Sequence, residues 1–214
     1  MIKSRFSSNY IFPLLNVFVV SFVLSLFLLQ VIGGIIFIFW LFEKWDEKKK
    51  ILDILAVSVF IFGIIRLISI FFSAFPSDSF ESLYKEALFY FTLVFMCFYL
   101  KTLDKKTLLR LVLIFILGAV VMSIVGITRF IFGNVDRAQA FSSSYSVFSS
   151  YLMVALGLAL FYPRGFQNSK SWFYRSVIIL IIFLGIVLSL GRTNILISII
   201  LIVTAMVLKK INYR

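Results

Sequence analysis

The chain has 214 residues, of which 62% are hydrophobic, 18% aromatic and only 14% charged. A soluble domain of this size would carry about a quarter charged residues, so the composition points to a polytopic membrane protein with one transmembrane domain over residues 1–214 and no soluble domain. The net charge of +12 does not imply nucleic acid, because most of the 21 lysines and arginines cluster at the termini and in short loops, as a positive-inside topology requires. No histidine is present, which excludes histidine metal sites and histidine bases, and the single cysteine, Cys97, forms no disulfide within one chain.

Lys3 and Arg5 precede an apolar run with no small-residue cleavage site, which reads as an uncleaved first span. Residues 11–42 hold no charge across 32 positions. A continuous helix of that length would be about 48 Å, against a hydrocarbon core of about 30 Å. A hairpin of two short spans, 11–26 and 28–42, resolves the mismatch, with a single strongly tilted helix as the bland alternative. The segment 43–50, EKWDEKKK, then reads as a cytoplasmic loop.

A third span, 51–75, runs outward and carries Arg66 in its outer half. Pro76 and Ser77-Asp78-Ser79 mark an outer loop, and Asp78 followed by Glu81 reads as a capping box for the next helix. Residues 83–100 return inward to the basic loop 101–106. Residues 108–132 run outward and end near Arg129. The longest polar outer segment follows at 133–146, with Asp136 and Arg137. Residues 147–162 return to a basic inner loop, 163–175, where Trp172 and Tyr174 are interfacial anchors.

Residues 176–208 form a second overlong apolar stretch, with one charge, Arg192, at its middle and basic residues at both ends. It reads as a hairpin whose outer turn is Gly191-Arg192-Thr193-Asn194. The expected fold is therefore an all-α transmembrane helical bundle of about eight spans, with both termini cytoplasmic.

Five cations lie outside the inner segments: Arg66, Lys85, Arg129, Arg137 and Arg192. Arginine within a span is costly and faces a bundle interior or a watery cavity. Its planar fork binds phosphate oxygens in pairs and stays charged at every relevant pH. Arg66, Arg129, Arg137 and Arg192 facing one outward cavity would suit a diphosphate. The bland readings are snorkelling for Arg129, a structural pairing for Arg66, and solvated charges for Arg137 and Arg192. The hydroxyl-rich run 142–150 beside Arg137 would supply hydrogen bonds to a sugar or phosphate, or simply form a polar helix start. The carboxylates Asp78, Glu81, Glu86 and Asp136 show no acid/base spacing, so no catalytic residue is assigned. No phosphate loop, metal cluster or nucleophile motif is present, and no cofactor is expected.

Arg137-Ala138-Gln139-Ala140-Phe141, a polar run, and then Ser150-Tyr151-Leu152-Met153 resemble a segment of the O-antigen ligase and O-antigen polymerase family. Leu188-Ser189-Leu190-Gly191-Arg192-Thr193 resembles a second signature of that family, with Gly191 where serine is frequent. Ser144-Tyr145-Ser146 replaces an Asn-Pro type sequence. The resemblance implies a GT-C-like glycosyltransferase of the bacterial inner membrane, acting in lipopolysaccharide biosynthesis. Its partners would be an undecaprenyl-diphosphate-linked glycan as donor and lipid A-core or another glycan as acceptor. Arg137 and Arg192 would hold the diphosphate and stabilise the leaving group without a metal. Family members are longer and continue into a histidine-bearing outer loop, so this chain is expected to be the amino-terminal portion of such a protein. A transporter or flippase for an anionic lipid, or a non-catalytic membrane subunit, would use the same arginines.

Overall fold

The structure is a computed structural model that describes residues 8–24, 26–49, 54–133, 135–141, 145–162 and 169–212. The side chains of Lys85, Glu86 and Trp172, the serines at 142–144, and the N-terminal Lys3 and Arg5 lie outside the described residues. Among the described residues the only regular structure is helix, with no strand, so the fold is all-α. The helices are α1 (Ser8–Leu24), α2 (Leu26–Leu41), α3 (Trp45–Lys49), α4 (Ile54–Phe71), α5 (Pro76–Thr102), α6 (Lys105–Phe132), α7 (Tyr145–Phe161), α8 (Ser169–Leu188) and α9 (Arg192–Asn212).

Among the described residues one helix, α6, is long and apolar enough to cross a membrane, with a mean hydropathy of 2.8 over its best stretch. The other apolar helices give shorter stretches, such as Tyr145–Phe161 and Arg192–Leu208. The run 176–208 is broken into α8 and α9 by the turn at 189–191, and the run 11–42 is divided between α1 and α2, whose Phe18 and Gly33 meet.

Contacts divide the chain into two compact units. One comprises Met1–Phe18 and Phe27–Leu108, the other Val19–Leu26 and Leu109–Arg214.

In the first unit, Ile11, Leu15, Phe18, Leu29, Ile36, Phe95, Phe98 and Tyr99 are buried. α1 and α2 meet at Gly33, where a Cβ would make ordinary contact with the Phe18 ring at 3.5 Å. α4 pairs with α5. The segment 43–50 is not simply a solvated loop. Glu43 is buried at the end of α2, and Lys48 folds back over the Trp40 ring at 4.7 Å and donates to the Leu41 carbonyl at 2.9 Å.

Two sequence expectations are corrected here. α5 begins at Pro76, well before residue 83, and Phe75 occupies the N-cap with no side-chain cap. Proline at the first helical position has the right φ and lacks the N–H that would otherwise be orphaned. Asp78 therefore sits inside the first turn and is not the cap of a capping box. The cap that does form lies at the other end of the hairpin. The Asp104 carboxylate accepts the Thr107 N–H at 3.2 Å and starts α6. The Thr107 side chain and N–H hold the Asp104 carboxyl below its ordinary value.

In the second unit α7 packs against both α8 and α9. Its buried residues are Phe148, Ser149, Leu152, Ala155, Leu156, Ala159 and Leu160, spaced three and four apart as one helical face requires. Small residues set the distances. A Cβ on Gly126 would lie 2.6 Å from the Phe148 ring, and one on Gly185 would lie 2.7 Å from Ser123 Oγ and 2.8 Å from Leu152 Cδ1. The Tyr151 hydroxyl donates to the Phe115 carbonyl and Tyr162 to Leu109, tying α7 to α6 along its length. Arg175 donates to the carbonyls of Ala159 and Leu160, so a cation sits at the negative end of α7.

Candidate functional site

The second unit gathers three of the four candidate arginines at one end, where α6 and α8 stop and α7 and α9 start. The chain leaves α6 at Gly133, whose N–H donates to the Arg129 carbonyl at 2.8 Å. It then runs without helix or strand, and with bends, through residues 135–141. Ala138 and Ala140 alternate inward and are fully buried, while Arg137 and Phe141 are exposed. Composition marked 133–146 as a polar loop. Only the small side chains of two alanines let its backbone seat in the core.

The seat is a backbone hydrogen bond: the Ala138 N–H donates to the Leu188 carbonyl at 2.9 Å. Leu188 is the last residue of α8, so its carbonyl has no helical donor of its own. Arg129 closes the other side, donating from Nη1 to the Ala140 carbonyl at 2.6 Å. Arg129 is thus a positioning residue for the loop that carries Arg137. The Arg137 guanidinium lies 4.3 Å above the Tyr145 ring, in cation–π contact with the first residue of α7.

The α8–α9 turn consists of Ser189, Leu190 and Gly191, and Arg192 is the first residue of α9. The expected turn at 191–194 is therefore shifted by about two residues. Leu190 has φ of +56°, a left-handed conformation that L side chains rarely adopt. Ser189 is buried and donates from its hydroxyl to the Ile186 carbonyl at 2.6 Å. The Gly191 carbonyl accepts the Ile195 N–H at 3.0 Å, which makes Gly191 the N-cap. A Cβ on Gly191 would lie 3.2 Å from Ser149 Oγ, so a larger residue would press the turn off α7.

Asn194 completes the end. Its Nδ2 donates to Ser149 Oγ at 2.5 Å and faces Ser150 Oγ at 3.4 Å. Ser149 in turn donates to the Ser146 carbonyl at 3.1 Å. The serines are legible in the sequence as a hydroxyl-rich run, whereas nothing local marks Asn194 as their partner. Its only signal was its place in Gly191-Arg192-Thr193-Asn194.

Arg192 is exposed at the positive end of the α9 dipole, where a cation is unfavourable on its own. An anion at that end would be met by the guanidinium and by the free N–H groups of the first turn together. Arg137 and Arg192 flank the Ala138–Leu188 bond on the two segments that it joins. Chemically, this end offers two exposed planar cations, a helix start and the Ser149–Asn194–Ser150 hydroxyl and amide group. Among the described residues, no three of His, Cys, Asp and Glu come together.

Arg66 lies elsewhere, in the first unit, on α4. With Ser69, Ser73, Phe75, Asp78 and Ser79 it lines a cavity of about 320 Å³ beside the α4–α5 turn. No family model matches this chain, and no curated protein or solved structure matches it.

Proposed function

We propose that this chain is a polytopic inner-membrane protein of surface polysaccharide biosynthesis, similar to the O-antigen ligases and polymerases. In this reading eight helices span the bilayer with both termini inside. Exposed apolar surface supports it. On α4 alone Phe60, Ile61, Ile64, Ile65 and Ile68 are each about half exposed, a patch that water does not tolerate and lipid does. The arginine end of the second unit then faces outward.

There Arg137 and Arg192 grip the diphosphate of an undecaprenyl-linked glycan. The α9 N-terminus adds its N–H groups, and Arg129 holds the loop in place. As the sugar–phosphate bond breaks, negative charge grows on the leaving diphosphate. Fixed guanidinium groups stabilise that charge more than they stabilise the ground state. The acceptor would be lipid A-core or another glycan. The observation that carries the reading is the seating of the Arg137 loop on the end of α8, four residues before Arg192 begins the next helix.

The test is to replace Arg137 and Arg192 separately by alanine and to follow surface polysaccharide on gels alongside protein level. Each variant is expected to lose polymer at unchanged protein level. Normal polysaccharide in both variants would refute the proposal.

A further inference from the structure

The two arginine-bearing segments of the second unit meet on one helix. Tyr145, Phe148 and Ser149 are three and four residues apart on α7, so they share a face at its start. Phe148 and Ser149 are fully buried, which fixes that face against the core. Ser149 Oγ takes the amide of Asn194, which follows Arg192 on the first turn of α9. Tyr145, one turn nearer the end, lies under the Arg137 guanidinium, with Cζ 4.3 Å from the ring centroid. The start of α7 therefore touches both segments.

What holds the loop backbone does not hold this side chain. The bonds at Ala138 and Ala140 fix the chain just after Arg137. An exposed arginine still keeps a long, freely turning side chain beyond such anchors. Asp136 and Arg137 are the charged residues of the sequence 133–146, and among the described residues Arg137 makes no ion pair. The Tyr145 ring is the group placed to restrict it.

The chemistry of that partner matters. A carboxylate would neutralise the guanidinium and occupy its fork, and an incoming phosphate would have to displace it. A ring attracts the cation through its π face and accepts no strong hydrogen bond, so the charge and the N–H donors stay available. Arg129 shows the contrast, with an N–H already committed to the Ala140 carbonyl at 2.6 Å.

We infer that Tyr145 is a positioning residue for phosphate capture at this end: its ring holds the Arg137 guanidinium in place, with the N–H fork left for phosphate oxygens. The ligand chemistry is a diphosphate, carried by a lipid or free. That role rests on the arginine end proposed above, and not on the sidedness of the membrane or on glycosyl transfer.

The test uses the full chain purified in detergent, with undecaprenyl diphosphate and inorganic diphosphate titrated separately. Affinity is read by native mass spectrometry for the lipid and by calorimetry for the free ion. Tyr145→Leu keeps an apolar side chain at the helix start and removes the π face. It is expected to weaken both ligands about fivefold, because binding must then order one long side chain. Tyr145→Phe retains the ring and should bind within about twofold of wild type. In an Arg137→Ala background, Tyr145→Leu should cause no further loss. A residue that only supports the start of α7 would weaken binding in that background too.

Tyr145→Leu binding as tightly as wild type, while Arg137→Ala weakens, would overturn the role of Tyr145 alone. So would an equal loss from Tyr145→Leu with and without Arg137, or a loss in Tyr145→Phe as large as that in Tyr145→Leu. Inorganic diphosphate bound with the expected pattern, and the lipid not bound, would support the role of the ring and overturn the lipid reading. Binding of neither ligand by wild type would overturn the arginine end as an anion site, and the role of Tyr145 with it.

Discussion

Arginine is used in two ways in this molecule. In the second unit Arg129 is bonded to a loop carbonyl, Arg137 is laid over a tyrosine ring, and the segments bearing Arg137 and Arg192 are joined by a backbone hydrogen bond. In the first unit Arg66 lines an open cavity with a carboxylate and three hydroxyls. The packing beneath the two ends differs in the same sense. Gly185 and Gly126 of the second unit have neighbours where a Cβ would go, whereas Gly34 and Gly63 of the first have none within 4 Å. The seated end holds Arg129 and Arg137 against fixed partners, while Arg192 is exposed at the start of α9.

The contrast breaks most visibly through the glycines. Gly185→Val should destabilise the purified chain by about 3 kcal/mol or more, because neither Ser123 nor Leu152 has room to retreat inside the core. Gly63→Ala in the first unit should instead raise the apparent unfolding midpoint, gaining up to about 1 kcal/mol of helix propensity. Similar losses at both positions would show that the two units are packed alike.

Asn194→Ala should cost about 1–2 kcal/mol by removing the amide that links α9 to Ser149, with the largest gain in amide exchange at the start of α9. Exchange rising evenly along α9 would mean that the link does not organise this end. Leu190→Gly should stabilise by about 1 kcal/mol, since glycine takes the left-handed conformation without the Cβ clash. The smallest effect belongs to Asp104, at the start of α6. Its folded-state carboxyl is held below the ordinary value, so its contribution is present above that value and is lost as the pH falls through the lowered one. Unfolding midpoints of wild type and Asp104→Ala should therefore differ at neutral pH and converge in acid. A constant gap would show that the ionised cap is not the cause.

Much of the fold is legible in the sequence for one reason. Two apolar runs, one uncharged and one with Arg192 at its middle, are each too long for a single span, and each is divided between two helices. The Arg192 hairpin and the loop after Arg129 follow from that same length argument. Local chemistry was less transparent. Asp78 looks like a cap because of Glu81 three residues on, but Pro76 at the first helical position decides where α5 begins. Ala138 and Ala140 read as loop filler, because burial of a loop depends on a partner, the Leu188 carbonyl, fifty residues away. The same holds for Asn194 and Ser149. Propensity and periodicity report what a residue does within its own helix. The candidate site is made of contacts between segments.

The central claim is that the Arg137–Arg192 end faces the outside of the membrane. Cys97 is the only native cysteine, so Arg192→Cys in a Cys97→Ser background gives a single reporter. Labelling with an impermeant maleimide should succeed on intact cells stripped of their outer membrane. Labelling only from the cytosolic side, in everted vesicles, would contradict the account.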